Sequence, residues 1–143
     1  MPAMQVAPIR YSAGNEHNPG DPFGRTELQL APDGAARLEQ VTRAGRRAWI
    51  GQVRAAALTQ LWSDLAASGF PAVPPHALVA GATLRRLQVG DATIQVEWYA
   101  VARWPALAAV FAQLDAMVRQ LSQGAVATVA AGGPQLVDAV APA

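Results

Sequence analysis

Segment 82–121 constrains the fold of this chain more than any other stretch, because a β-hairpin pattern is followed there by an amphipathic helix pattern. Gly90 stands at the first central position of a two-residue turn, which requires the positive φ angle that glycine adopts at little cost. Pairing around this turn sets Leu87 opposite Ile94. Since side chains alternate across a strand, the apolar residues of the hairpin share one face and the polar residues share the other.

The helix pattern begins at Pro105, which suits the first helical position because its missing N–H has no partner there. Gly124 suits a left-handed cap at the other end. The apolar residues between them recur at spacings of three and four and form one stripe: Leu107, Val110, Phe111, Leu114, Met117, Val118 and Leu121. We expect this stripe to pack on the apolar face of the hairpin, because both surfaces then leave water.

Arg85 is the exception in the hairpin, because it falls on the apolar face opposite Val96. An arginine is seldom fully buried without a partner. Glu97 points to the other face, so the pattern favours a structural ion pair with a carboxylate of a covering helix, such as Asp64 or Asp115, over a bound ligand.

Three alternating segments with short turns precede the hairpin and predict a strand meander over residues 25–30, 36–43 and 48–53. A helix is predicted over residues 55–69, where Gly69 caps its end. The predicted fold is therefore α+β. It has a mostly antiparallel sheet of about five strands, in the order meander, helix, hairpin, helix, with both helices packed on one face.

The chain of 143 residues suits one domain, which we place at residues 1–124. Its first 24 residues are predicted to be an irregular lead, in which Ile9 and Tyr11 could add a short edge strand. Residues 125–143 are rich in Ala, Gly, Val and Pro, and are predicted to form a flexible tail.

Composition and motifs argue against several classes of protein. The net charge of +1 lacks the excess of positive charge that is typical of nucleic-acid-binding proteins. The absence of cysteine excludes disulfides and thiolate metal sites. No phosphate-binding loop, dinucleotide fingerprint or nucleophile elbow occurs, so we assign no catalytic residue and expect no cofactor. No secretory signal or membrane span is visible, which predicts a soluble cytoplasmic protein without a membrane partner, although a chain trimmed of its signal would look the same.

Segment 12–24 is the most distinctive loop, because turn-forming Gly, Asn, Asp and Pro crowd together there and long loops are often functional. A metal could be bound by Glu16, His17, Asp21 and His76, but their spacing lacks a helical ligand pair, and a hydrogen-bonded turn is favoured. The candidate binding residues of the loop and its surroundings are Asn15, Glu16, His17, Asn18, Asp21, Phe23, Arg25 and Trp104.

Arginines also gather in sequence around the turn at residues 44–47. Arg43, Arg46, Arg47 and Arg54 could form a cluster that binds phosphate or carboxylate through the planar guanidinium. Because the charge of the chain is nearly balanced, a solvated strand end is the favoured interpretation.

The element order carries three landmark phrases, FGRTELQL, LWSDLAASGFPAVP and WPALAAVFAQLDAMV. With these, residues 10–121 resemble emfourin, a small bacterial inhibitor of thermolysin-like metalloproteases, and related uncharacterised domains. The phrase NEHNPGDP departs from the glycine-rich loop of emfourin. The resemblance implies a bacterial, non-catalytic protein that engages a partner through its loops.

Three functions stay open at this stage. The favoured one is a small protein-interaction module without catalysis, an inhibitor or immunity-type protein that binds another protein through residues 14–24. The second is a metal- or small-ligand-binding protein, enzymes included, that uses Glu16, His17, Asp21 and His76. The third is a structural or assembly subunit whose bare sheet face or apolar tail makes oligomers.

Overall fold

The computed structural model describes residues 7–14, 24–42, 45–72, 84–97, 103–123 and 140–142. In chain order the elements are β1 (Ile9–Gly14), β2 (Arg25–Leu30), β3 (Ala35–Thr42), β4 (Gly45–Val53), α1 (Ala55–Ser68), β5 (Leu84–Val89), β6 (Ala92–Glu97), α2 (Pro105–Leu121) and β7 (Val140–Pro142). The α+β class is confirmed.

The strands form one sheet in the order β6-β5-β1-β2-β3-β4-β7, and every neighbouring pair is antiparallel. Six strands have six to nine residues, whereas β7 has three and pairs only with the last three residues of β4. The prediction of an antiparallel sheet is confirmed, but the predicted number of about five strands is too low.

The position predicted for β1 is wrong. Ile9 and Tyr11 belong to an interior strand that bonds to β2 on one side and to β5 on the other. The paired residues of β5 lie 70 to 80 positions later in the chain, so no local pattern could reveal the pairing, and β1 looked like an optional edge strand.

The central hairpin forms in the predicted register, with Leu87 opposite Ile94 and Arg85 opposite Val96. Gly90 has a φ of 57°, as the turn requires. Helix α2 begins at Pro105 as predicted but ends at Leu121 with Ser122 as its cap, while Gly124 lies outside the described residues.

The core lies between the sheet and the two helices. Buried side chains of α1 and α2 join those of the strands in a single cluster, which includes Leu28, Leu38, Leu61, Leu65, Leu87, Val110 and Leu114. Gly69 ends α1 in the left-handed conformation, as the cap pattern predicted, and Phe70 directly after it is buried. Alternate strand residues on the other face are mostly exposed or half-buried.

A flexible tail was predicted over residues 125–143. Three of its residues form β7, beside Gly51, Gln52 and Val53 of β4, and residues 124–139 lie outside the described part of the chain. Neither described helix has both the length and the apolar run that a membrane crossing needs.

Candidate functional site

Most of the predicted binding residues lie outside the described residues: Asn15, Glu16, His17, Asn18, Asp21, Phe23 and also His76. Arg25 is exposed at the start of β2, and alternation from the buried Leu28 turns it toward the face that the helices leave open. Trp104 directly precedes α2 and packs, partly buried, against the core. Arg25 and Trp104 therefore lie on opposite sides of the sheet, and the structure does not bring them together.

The base of the 14–24 loop is built from two crowded glycines. Gly14 pairs with Arg25 at the end of the β1–β2 ladder, and its φ is 142°. A Cβ on Gly14 would meet the carbonyl oxygen of Gly24 at 2.5 Å. Gly24 has a φ of 60°, and a Cβ on it would collide with the carbonyl oxygen of Val41 on β3. The chain thus leaves and re-enters the sheet through backbone packed against backbone.

The metal-site prediction stays a prediction. Its four candidate ligands, Glu16, His17, Asp21 and His76, all lie outside the described residues. Within the described part of the chain, no group of three or more His, Cys, Asp or Glu side chains could hold a metal ion.

Arg85 forms the ion pair that the hairpin pattern predicted. Its Nη1 donates to Oδ2 of Asp115 on α2 at 2.8 Å. The hydroxyl of Tyr11 on β1 donates to the other carboxylate oxygen at 2.7 Å and accepts from Arg85 Nη1 at 3.1 Å. Three elements are thereby joined inside the core. The sequence did not indicate that Tyr11 takes part.

The surroundings of this triad keep Tyr11 protonated. Burial raises the pKa of its hydroxyl well above 10.0, and the neighbouring carboxylate of Asp115 raises it further, although Arg85 acts in the opposite direction. The Phe111 ring lies 5.6 Å from the Tyr11 ring and 5.3 Å from the Arg85 guanidinium carbon. The other predicted partner of Arg85, Asp64, instead accepts hydrogen bonds from Gln60 and Gln113. The triad is a structural link, because the Tyr11 hydroxyl, both carboxylate oxygens of Asp115 and Nη1 of Arg85 bond to one another.

Of the four arginines considered as an alternative anion-binding cluster, the three that the structure describes do not lie together. Arg46 and Arg47 are neighbours on β4 and point to opposite faces of the sheet. Arg47 donates to Gln40 at 2.5 Å and its guanidinium lies 5.3 Å from the Trp49 ring, on the covered side. Arg54 follows the far end of β4 as the N-cap of α1, and Arg43 lies outside the described residues.

The open face of the sheet, which the helices do not cover, carries many charged side chains. The charged side chains that alternation places on it are Arg10, Arg25, Arg37, Arg46 and Arg86, with Glu27, Glu39 and Glu97. Glu27 and Glu39 stand directly opposite each other on β2 and β3, an arrangement that is unfavourable for like charges. Arginines on neighbouring positions offset this repulsion.

Three ion pairs surround the two glutamates. Arg10 Nε lies 3.1 Å from Glu27, Arg37 Nη2 lies 3.5 Å from Glu39, and Arg46 Nε lies 3.7 Å from Glu39. The arginine side chains are 57%, 55% and 69% exposed, while each glutamate is 21% exposed. The carboxylates therefore lie low on the sheet, and the guanidinium groups form its outermost layer.

A shallow groove of about 760 Å³ crosses one end of this face. One row of paired residues forms its floor, namely Gln88, Arg10, Gln29, Arg37 and Ile50 on β5, β1, β2, β3 and β4. Ile50 is 67% exposed and is the one large apolar side chain so exposed in the described part of the chain. Only the register of five strands brings this row together, so the sequence alone did not indicate it.

The chain matches no protein-family model and no curated protein.

Proposed function

We propose that the chain is a small non-catalytic protein-interaction module that binds its partner through residues 14–24. The base of this loop supports the proposal. Gly14 and Gly24 hold the loop ends on the paired strands β1, β2 and β3, at positions where any side chain would collide with backbone. A binding loop benefits from such a base, because a rigid scaffold reduces the ordering cost on binding.

The resemblance to emfourin gives the proposal a more definite form. A loop whose two ends are held by a rigid sheet can enter the cleft of an enzyme, as an inhibitor or immunity-type protein requires. The partner class we propose is accordingly another protein, with thermolysin-like metalloproteases as the first to test.

The test replaces residues 15–23 with a Gly-Ser segment of equal length and keeps both glycines of the base. The matched control exchanges two exposed residues of α1, Thr59→Ala and Ser63→Ala, on the helical side of the sheet. Circular dichroism first establishes that both variants fold like the parent chain. Each protein is then titrated into a thermolysin-like protease assay and is also used to capture partners from the native host.

The loop replacement is expected to abolish inhibition or partner capture, while the α1 control retains both. Undiminished capture of the same partner by the loop replacement would contradict the proposal, because the contact would then lie elsewhere on the chain.

A further inference from the structure

We propose that the groove on the open sheet face is a docking surface for an acidic, extended segment of a partner protein, whose carboxylates bind Arg10 and Arg37. The inference depends on the open face alone and not on the 14–24 loop. It therefore goes beyond the proposed function and can fail or succeed independently of it.

Exposed guanidinium groups on the groove favour an acidic partner. Among the described residues, Arg10 and Arg37 are the cations that line the groove, and Asp91 is its acidic residue. The two arginine side chains are 57% and 55% exposed, whereas their partners Glu27 and Glu39 are each 21% exposed. A partner that approaches this face meets guanidinium groups before it meets carboxylates. Half-exposed surface ion pairs contribute little to stability, so Arg10 and Arg37 can turn to a partner's carboxylates at little cost to the fold.

Spacing is the second argument. Arg10 and Arg37 flank Gln29 in one row, so two strand spacings separate them, a Cα–Cα distance of about 10 Å. In an extended polyproline-type backbone, residues three apart lie on the same side at about 9 Å. A segment that runs across the strands with two acidic residues in this spacing therefore presents both carboxylates to the two guanidinium groups.

The other residues that line the groove suit a peptide better than other anionic ligands. Gln29 and Gln88 offer amide groups that both donate and accept, which suits the backbone of an extended peptide. Pro32 and the exposed Ile50 offer apolar contact for a neighbouring side chain. A phosphate polymer would gain little here, because the two arginines that line the groove can neutralise only about two phosphates. A second copy is a poor fit, because it would face guanidinium groups with guanidinium groups.

The probe is a short fluorescein-labelled proline-rich peptide with two glutamates three positions apart, and its matched control carries glutamines in their place. Binding is followed by fluorescence polarisation, and the contact is located from amide shifts in nitrogen–proton correlation spectra. The variants are Arg10→Gln with Arg37→Gln, and the control Arg86→Gln, which removes a charge from the same face outside the groove lining.

The glutamate peptide is expected to bind and to shift the amides of Arg10, Gln29, Arg37 and Ile50, with affinity falling as salt is raised. The double variant should weaken binding by about tenfold or more, since two charge-assisted contacts are lost, while Arg86→Gln changes it by less than about twofold. The loop replacement of residues 15–23 should bind the peptide like the parent chain, which separates this inference from the proposed function.

Three results would overturn the inference. The first is no binding at peptide concentrations up to about 1 mM, the weak end of specific association. The second is that the glutamine peptide binds as tightly as the glutamate peptide, or that Arg86→Gln weakens binding of the glutamate peptide as much as the double variant does. The third is tighter binding of an oligothymidylate with the same amide shifts, which would assign the surface to phosphate polymers.

Discussion

Removing the carboxylate of Asp115 is expected to be the most damaging single change in the charged part of the core. Asp115 and Arg85 have side chains only 5% and 9% exposed, and the two carboxylate oxygens bond separately to Tyr11 and to Arg85. The variant Asp115→Leu leaves the guanidinium group buried without its counter-charge. Breaking a buried pair in this way costs about 3–5 kcal/mol, out of a total stability of about 5–15 kcal/mol for a domain of this kind.

The assay is urea unfolding followed by tryptophan fluorescence, with the free energy of unfolding extrapolated to water. A triple variant, Tyr11→Phe with Arg85→Met and Asp115→Leu, removes the polar groups together and is expected to lose little or even to gain stability, because no charge stays buried. The control Glu27→Gln breaks a half-exposed pair with Arg10 and should cost no more than about 1 kcal/mol. A loss below about 1 kcal/mol in Asp115→Leu, or a triple variant as unstable as the single one, would refute the reasoning, because the burial of Arg85 would then not depend on its partner.

Two further predictions concern the ionisation of Tyr11 and the glycines at the loop base. Because burial raises the pKa of Tyr11 in the folded state above its unfolded value of 10.0, the stability it contributes is fully present below pH 10.0 and is lost as the pH rises toward the folded pKa. The chain also contains Tyr99, so the phenolate absorbance of Tyr11 is taken as the difference between the parent chain and Tyr11→Phe. This difference should appear only with alkaline unfolding, and Tyr11→Phe should flatten the alkaline fall in stability. A difference that appears near pH 10.0 in the folded protein would count against a buried hydroxyl. At the loop base, Gly24→Ala should destabilise the chain more than Gly69→Ala, which bears only the left-handed backbone cost of about 1–2 kcal/mol because nothing lies within 4 Å of its added Cβ. Equal melting temperatures for the two glycine variants would show that the carbonyl oxygen of Val41 leaves room for a Cβ at position 24.

The features that local patterns determine were predicted to within a few residues. The hairpin register follows from one glycine turn and strict alternation, and a shift by one residue would have exposed Leu87 and Ile94. An unpaired buried charge is costly, so Arg85 was predicted to pair with a helix carboxylate, and Asp64 and Asp115 were named as candidates. Asp115 is the partner.

The features that escaped prediction depend on pairing between distant strands. Ile9 and Tyr11 give too short an alternation to separate an interior strand from an edge strand, and only the pairing with β5 decides the question. The row from Gln88 to Ile50 is likewise invisible before the order β5-β1-β2-β3-β4 is known, since its members come from five separate segments.

Arg85 and Arg86 show why composition could not locate the functional surfaces. They are adjacent on β5, yet alternation places one in the core against Asp115 and the other on the open face. The net charge of +1 counts both arginines equally and suggests a surface with no local excess of positive or negative charge. Once the register separates the buried Arg85 from the arginines that reach solvent, the described strands carry more cations than anions on the open face. The arginines of the ion pairs there are also more exposed than their glutamate partners. A nearly neutral chain can therefore present a locally cationic face, because strand alternation sorts its charges by depth as well as by position.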